Sequence, residues 1–377
     1  MTEKPYLDFY AKQGARLVSR DVDDKGKFFR ARESLYIALG ISPGFLRGKT
    51  VIEFGPGTGH NALYTDWLGP SRFVLVDGGP DILAASKERL VTNGSDLVER
   101  EFICSLFDDY NSMELFDFVI AEGCIPNQTN PVDLFKKMQR FVKPGGLMLF
   151  TTVSPVSWLS EIFRRLAKNR IVSLEMSEEE QVNLMVSKLE GHFDTLNNMA
   201  RTPEEWILDN LFQPHGEGKL FTIPDSLNNL SSEFIVSGTS PTYYQDWAWY
   251  KDVAHSNTER NARFIETYFS NVLNFVDRRL ICPTHSQELG RQVEEIASNI
   301  WSQACRIEKG EVDLWDETFE YLSQLSLLIS SEAPQTSKSI DEAAKWIRGG
   351  LQEKQLLYFP SWWGRGQQHV CICRGQV

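Results

Sequence analysis

The chain has 377 residues, of which 42% are hydrophobic and 24% charged, a composition typical of a globular protein with a full apolar core. The formal net charge is −12, so the surface as a whole repels nucleic-acid phosphates and disfavours nucleic acid as a partner. No apolar run is long enough to span a bilayer and no signal-peptide pattern is present, so we expect a cytoplasmic protein that does not contact a membrane.

The cysteines and histidines, six of each, are dispersed along the chain and form no C-x-x-C or H-x-x-x-H spacing. We therefore expect free thiols in a reducing compartment and no metal site. The densest basic stretch is "FRRLAKNR", residues 163–170. We interpret it as the solvated end of a helix rather than as a nucleic-acid surface.

The first half of the chain predicts an alternation of strands and helices. Residues 1–48 are predicted to form an N-terminal helical cap, and residues 49–154 a core in which apolar strands alternate with amphipathic helices. The predicted strands are 50–54, 72–77, 98–107, 116–123 and 145–153. This alternation predicts an α/β fold with a Rossmann-like, mostly parallel sheet and helices on both faces.

Beyond residue 154 the pattern becomes mainly helical. We expect a helical lid over residues 155–218, in which Ser177 and Thr202 begin helices as N-caps. A strand within 219–254 returns to the core sheet, and a helical appendage follows over 255–350. Residues 351–377 are predicted to form two strands around a "WWGRG" turn.

A glycine-rich turn follows the first strand of the core, in "VIEFGPGTGH". Gly55, Gly57 and Gly59 permit a tight turn in which a ligand approaches the main chain closely, at the carboxyl edge where parallel sheets bind ligands. Glu53 precedes the turn and would repel a pyrophosphate, so it favours a ligand with positive charge. Asp77 ends the second strand, where an acid can accept hydrogen bonds from both ribose hydroxyls of a nucleoside.

The segments "VIEFGPGTG", "VLVD", "FDFVIAEG" and "VKPGGLMLFTTV", at these intervals, resemble the class I S-adenosylmethionine-dependent methyltransferases. The resemblance covers about residues 49–155 and implies S-adenosyl-L-methionine as the cofactor. It also implies that Glu53 lies near the methionine amino group, that the turn glycines line this moiety, that Asp77 binds the ribose, and that Gly78 lies beside the adenine. His60 is expected to support the turn. Ser105 or Leu106, with Asp108 as an alternative, would stand where the family often has an adenine-binding aspartate.

Candidate catalytic and substrate residues lie outside the turn. In the family, residues after the fourth strand lie near the reactive methyl group, so Glu122 is a candidate base, substrate ligand or cofactor ligand, with a purely structural carboxylate as an equal alternative. His215, on a loop after the predicted lid, is a candidate general base or an ordinary surface histidine. The candidate substrate residues are Tyr10, Asn127 and Tyr243.

Together these features predict a methyltransferase that acts on a small molecule, such as a glycan precursor or secondary metabolite, with transfer to oxygen favoured. Two alternatives stay open: an NAD(P)-dependent oxidoreductase on a similar sheet, and a cofactor-binding pseudo-methyltransferase that serves as an interaction module. The amphipathic helices of 255–350 could also form a homodimer.

Overall fold

The computed structural model describes residues 9, 12–13, 24–126, 128–173, 175–196, 199, 201–214, 220–245, 247, 249, 251, 256–352 and 355–376. The chain forms two compact units, each built from separate stretches of sequence. The first comprises Met1–Thr152, Lys219–Ile265 and Gln367–Val377, and the second comprises Val153–Gly218 and Glu266–Gly366.

The first unit contains a seven-stranded sheet. Its strands are β1 (Thr50–Phe54), β2 (Arg72–Asp77), β3 (Glu99–Cys104), β4 (Phe116–Ala121), β5 (Val142–Thr152), β6 (Phe234–Ser240) and β7 (Gln368–Arg374). Their order across the sheet is β3-β2-β1-β4-β5-β7-β6. All described pairings are parallel except those of β7, which is antiparallel to both β5 and β6. The predicted α/β fold with a mostly parallel sheet is confirmed.

The helices of the described ranges follow in chain order: α1 (Lys25–Ala38), α2 (His60–Trp67), α3 (Pro80–Asn93), α4 (Pro131–Gln139), α5 (Leu159–Ile171), α6 (Glu178–Phe193), α7 (Pro203–Ile207), α8 (Ile223–Asn228), α9 (Asn257–Phe269), α10 (Val272–Val276), α11 (Gln287–Glu308), α12 (Trp315–Leu328) and α13 (Pro334–Arg348). None of these helices is both long and apolar enough to cross a membrane.

One face of the sheet packs against α1 and α2. Val51, Ile120, Leu149 and Cys371, from four different strands, share a buried cluster with Tyr36 of α1 and with apolar residues of α2. We call this side of the sheet the α1 face. Because side chains alternate between faces along a strand, the residues two positions after Val51, Leu149 and Ile120 also project from the α1 face.

The second unit is helical in its described part, and α6 and α7 begin at the predicted caps. Ser177 and Thr202 each form a capping box, in which the cap hydroxyl accepts from the backbone N–H three residues later and the glutamate at that position accepts from the cap N–H. These local polar contacts satisfy donors at the helix ends, which explains why the sequence alone predicted both helix starts.

The basic stretch at residues 163–170 is not the solvated helix end that we predicted. Arg165 and Lys168 of α5 are buried, and both bind the carboxylate of Glu308. Arg165 also donates to the carbonyl of Gln213 at 2.7 Å. The guanidinium of Arg164, also buried, lies 3.4 Å from the centre of the Trp363 ring. These cations are therefore internal to the second unit, held by acceptors distant in sequence.

The C-terminal prediction of two strands around the "WWGRG" turn is wrong in one half. The described residues before the turn form no strand, and only β7 follows it. Trp362 is buried and its indole N–H donates to the carbonyl of Val276 at 2.9 Å. The aromatic residues before β7 therefore serve packing in the second unit rather than strand pairing.

Candidate functional site

The strand order creates a crevice between β1 and β4. From β1 the chain proceeds through β2 to β3 in one direction, and β4 and β5 then continue on the other side of β1. In such sheets, ligands bind outside the carboxyl ends of the strands at the point where the order reverses. Two loops occupy this point: the glycine turn after β1, and residues 122–124 after β4.

The glycine turn adopts a backbone that other residues rarely take. Gly55, Gly57 and Gly59 have φ angles of 70°, 56° and 81°, in the left-handed region that glycine adopts without strain. A Cβ on Gly55 would lie 2.9 Å from the Cβ of Cys124, and one on Gly59 would lie 2.8 Å from the hydroxyl of Ser86. Gly55 is therefore required beside the second loop, whereas Gly59 is required for the packing of α2 against α3.

Glu53 is a buried acid at the end of β1, only 3% exposed. Its Oε2 atom has no hydrogen-bond partner among the described residues. Burial raises the pKa of Glu53 to about 8, and the negative charge of Glu122 adds to this effect while Arg32 opposes it. An unpartnered buried carboxylate oxygen carries a free-energy penalty, and a cationic ligand in the crevice would relieve it.

Asp77 ends β2 beside the glycine turn. Its Oδ1 atom accepts a hydrogen bond from the backbone N–H of Gly79 at 2.8 Å. Burial raises the pKa of Asp77 to about 6, although the backbone N–H groups of Gly79, Gly57 and Gly78 act in the opposite direction. The carboxylate is thus held by main-chain donors on both sides, at the edge where the sequence predicts ribose binding.

Glu122 follows β4 and takes part in a buried network that the sequence did not predict. Its Oε1 atom accepts from Arg32 of α1 and its Oε2 atom accepts from Asn61 of α2, both at 2.8 Å. Burial alone would lower the pKa of Arg32, but Glu122 and Tyr36 raise it above its ordinary value. Both oxygens of Glu122 are engaged, which favours a structural or positioning carboxylate over a general base. Arg32 lies 90 residues away along the chain, and no local motif indicates this pairing.

The other predicted cofactor residues lie around the same edge. His60 begins α2 and is buried, with its Nδ1 atom 2.8 Å from the hydroxyl of Thr58. Ser105 follows β3, where its N–H donates to the carbonyl of Asp77 at 3.0 Å. Its hydroxyl donates to the carbonyl of Leu106, also at 3.0 Å. The backbone of residues 105–106 is therefore placed beside β2, whereas their contact with an adenine stays a prediction.

Tyr243 lies after β6 and its ring is 6.4 Å from that of Phe264 in an edge-to-face arrangement. Tyr244 stacks on the same Phe264 ring at 3.9 Å. These contacts give both tyrosines a packing role, and substrate stacking by Tyr243 stays a prediction. The remaining predicted site residues, Tyr10, Asn127 and His215, lie outside the described residues.

Comparison with known proteins gives one family match and one curated relative. A family model described as a methyltransferase domain matches residues 28–215. Malonyl-[acyl-carrier protein] O-methyltransferase of Marinomonas sp. (strain MWYL1) is 28% identical over 114 residues, which are 29% of this chain and 39% of that relative. The chain thus matches well under half of the length of this relative.

Two solved structures illustrate the structural likeness. The N-methyltransferase NodS from Bradyrhizobium japonicum WM9, in complex with S-adenosyl-L-homocysteine, is 19% identical, and the match covers 40% of this chain and 74% of NodS with a TM-score of 0.31. PKMT2 from Rickettsia typhi is 16% identical, with 63% of this chain and 50% of PKMT2 covered and a TM-score of 0.40.

The family match spans the glycine turn, β2, the loop after β4 and β5. Members of the family use S-adenosyl-L-methionine as cofactor, and the residues that the resemblance implies for it stand at the reversal point of the sheet. By this match and by its fold, the chain belongs to the class I S-adenosylmethionine-dependent methyltransferases.

Proposed function

We propose that this protein transfers the methyl group of S-adenosyl-L-methionine to a small molecule, with an oxygen atom as the acceptor. The observation that carries the proposal is the environment of Glu53. A buried carboxylate with an unpartnered oxygen stands directly before a left-handed glycine turn. That combination suits a cationic ligand that lies close to the main chain.

The residues at this edge fit the cofactor. Glu53 would accept from the ammonium group of the methionine moiety, and the carboxylate of Asp77 would accept from the ribose hydroxyls. Gly55 would keep the loop after β4 close to the glycine turn, since any side chain at this position collides with Cys124. When bound, S-adenosyl-L-methionine supplies an electrophilic methyl group, and the protein's task is to orient it and exclude water.

The oxygen acceptor is supported by the curated relative. The relative is an O-methyltransferase by name, and its match covers 114 residues of sequence. The net charge of −12 supports a small molecule over nucleic acid, because an acidic surface opposes a phosphate backbone. A glycan precursor or secondary metabolite fits these constraints.

The oxidoreductase alternative loses support at the same turn. A dinucleotide would place its pyrophosphate beside the buried Glu53, where only the protonated carboxyl could tolerate it, whereas the ammonium group of S-adenosyl-L-methionine pairs with the ionised carboxylate. No observation specifically favours the interaction-module alternative, which differs from an active enzyme only in the absence of turnover.

The test has a binding part and a turnover part. In calorimetry we expect S-adenosyl-L-homocysteine to bind and NADH to give no heat of binding. The control variant Asp77→Ala should bind S-adenosyl-L-homocysteine more weakly than the wild type. Protein incubated with [methyl-¹⁴C]S-adenosyl-L-methionine and a low-molecular-weight cell extract should then label a small molecule. Label that appears only in added tRNA would contradict the small-molecule proposal, whereas cofactor binding without any label would favour the interaction module.

A further inference from the structure

β7 brings a histidine to the same edge of the sheet as the glycine turn. β7 runs antiparallel between β5 and β6, so its first residues lie beside the last residues of β5. In the register, His369 pairs with Thr151 of β5 and with Ser240 of β6. His369 belongs to none of the motifs described above, and Thr151 lies in "VKPGGLMLFTTV" without a local pattern that marks it as functional.

His369 projects from the same face of the sheet as Glu53. Leu149 and Cys371 pair across β5 and β7 and both belong to the cluster of the α1 face. Because Thr151 and His369 are each two residues away from these positions, their side chains project from that face as well. Glu53 pairs with Ile120, which belongs to the same cluster. His369 is half-buried, so it lies at the rim of the face rather than in its core.

A series of contacts connects His369 to the glycine turn. The backbone N–H of Gly123 donates to the hydroxyl of Thr151 at 2.7 Å. The amide of Gln367 lies 3.8 Å from the position that a Cβ on Gly123 would take. The next residue, Cys124, packs against Gly55 of the turn. With neighbouring strands about 4.8 Å apart, the backbone of His369 lies about 10 Å from that of β4. The imidazole extends from this backbone, so an acceptor hydroxyl group bound between the two strands would lie within its reach.

We propose that Thr151 and His369 form the acceptor end of the site, and that His369 takes the proton of an acceptor hydroxyl group. This inference rests on the proposed methyl transfer and narrows the substrate class to alcohols or phenols. Such acceptors need a base, and an imidazole can serve as one near neutral pH. Glu122, the other candidate described, already accepts two hydrogen bonds through its carboxylate.

The step balances without a further reactant. The hydroxyl oxygen forms a bond to the methyl carbon, the carbon–sulfur bond breaks, and its electron pair stays on sulfur to give the neutral thioether. The hydroxyl proton passes to a ring nitrogen of His369, which becomes an imidazolium and later releases the proton to solvent.

The first experiment needs no acceptor and measures the protein itself. In ¹⁵N-labelled protein, the pKa of the His369 ring is determined by NMR with S-adenosyl-L-homocysteine and with S-adenosyl-L-methionine, the resonance being assigned by its loss in His369→Gln. A sulfonium charge roughly 8–10 Å away should lower this pKa by about half a unit to one unit relative to the neutral thioether. His285 of the second unit is the internal reference. An identical His369 pKa with both ligands would overturn the proposal.

The second experiment measures turnover with the labelled cofactor and the low-molecular-weight extract. His369→Asn should reduce labelling at pH 7 at least a hundredfold, with affinity for S-adenosyl-L-homocysteine within threefold of the wild type. His285→Asn is the matched variant and should label normally. If the wild type binds no cofactor, the proposed function itself fails. If the wild type and His369→Asn label a product equally, only the inference about His369 fails. The same holds if the labelled product is a methyl ester, because an ionised carboxylate accepts a methyl group without a base.

Discussion

Cofactor affinity should depend on pH through Glu53. With a pKa raised to about 8 by burial, this carboxyl is mostly protonated at pH 7 in the free protein. A bound ammonium group stabilises the ionised form, so binding must release the proton. Affinity for S-adenosyl-L-homocysteine, which keeps the ammonium group, should therefore rise as the pH rises towards 8 and then level off.

The magnitude follows from the fraction of ionised Glu53. With a pKa of about 8, the ionised fraction is about 1% at pH 6 and about 50% at pH 8, which predicts an affinity gain of about 50-fold, or roughly 2.3 kcal/mol. At pH 7 the same pKa predicts the release of about 0.9 proton per ligand bound. Asp77, with a pKa of about 6, adds at most about twofold over this interval.

Calorimetry in two buffers with different ionisation enthalpies measures both the dissociation constant and the number of protons released. Glu53→Gln is the matched control, because an amide keeps the shape of the side chain but cannot titrate. At each pH, the ratio of wild-type to Glu53→Gln affinity removes the contributions of Asp77 and of the ligand's own amine. A ratio that stays constant from pH 6 to pH 8, with no proton released by the wild type, would refute the reasoning.

The same carboxyl predicts an effect on the stability of the cofactor-free protein. Its pKa in the folded state lies above the unfolded value, so its contribution to stability is present below about pH 4.5 and is lost as the pH rises towards about 8. At about 1.4 kcal/mol per pKa unit, the loss amounts to several kcal/mol. Glu53→Gln should therefore melt higher than the wild type at pH 8 while the two melt alike at pH 4.5, and coinciding melting curves at pH 8 would contradict the raised pKa.

Three further substitutions test other parts of the molecule. Gly55→Ala should abolish measurable cofactor binding and lower stability by about 1–2 kcal/mol more than Gly48→Ala, since both glycines have positive φ but only Gly55 has a close neighbour; equal effects in denaturant unfolding and calorimetry would sink this explanation. Asp77→Ala should weaken cofactor binding by about 1–3 kcal/mol, and unchanged affinity in an intact fold would exclude the ribose assignment. Glu308→Ala removes the carboxylate that two buried cations of α5 share and leaves them only carbonyl acceptors, so it should lower the free energy of unfolding by about 2–4 kcal/mol. Glu311→Ala at an exposed ion pair should leave the urea midpoint unchanged, and similar midpoints for the two variants would contradict the burial argument.

The sequence predicts well what depends on local chemistry. Strands β1, β2 and β4 are mostly apolar and largely buried, as expected for a sheet covered on both faces. The helices at Ser177 and Thr202 begin with capping boxes. The glycine turn was also predictable, because its backbone requires residue types that stand together in the chain. In each case the residue types that mark the element stand within a few positions of one another in the chain.

The features that the sequence missed depend on distant partners. The pairing of Arg32 with Glu122 joins α1 to the end of β4, and neither residue differs locally from a solvated charge. Arg165 was interpreted as exposed for the same reason, since its acceptors on Glu308 and Gln213 come from remote segments. His369 was missed because its position depends on where β7 enters the sheet, which no pattern within "HVCIC" specifies.

The insertion of β7 between β5 and β6 has a consequence for biosynthesis. Thr152 of β5 and Gln368 of β7 are 216 residues apart, so a ribosome needs roughly 10–40 s to extend the nascent polypeptide from one to the other. During that time the hydrogen-bonding edge of β5 is exposed, and once β6 has been synthesised its edge is exposed as well. Such open edges favour association between chains. A nascent chain stalled before Gln368 would therefore be a substrate for chaperones, although most of its sheet is already synthesised.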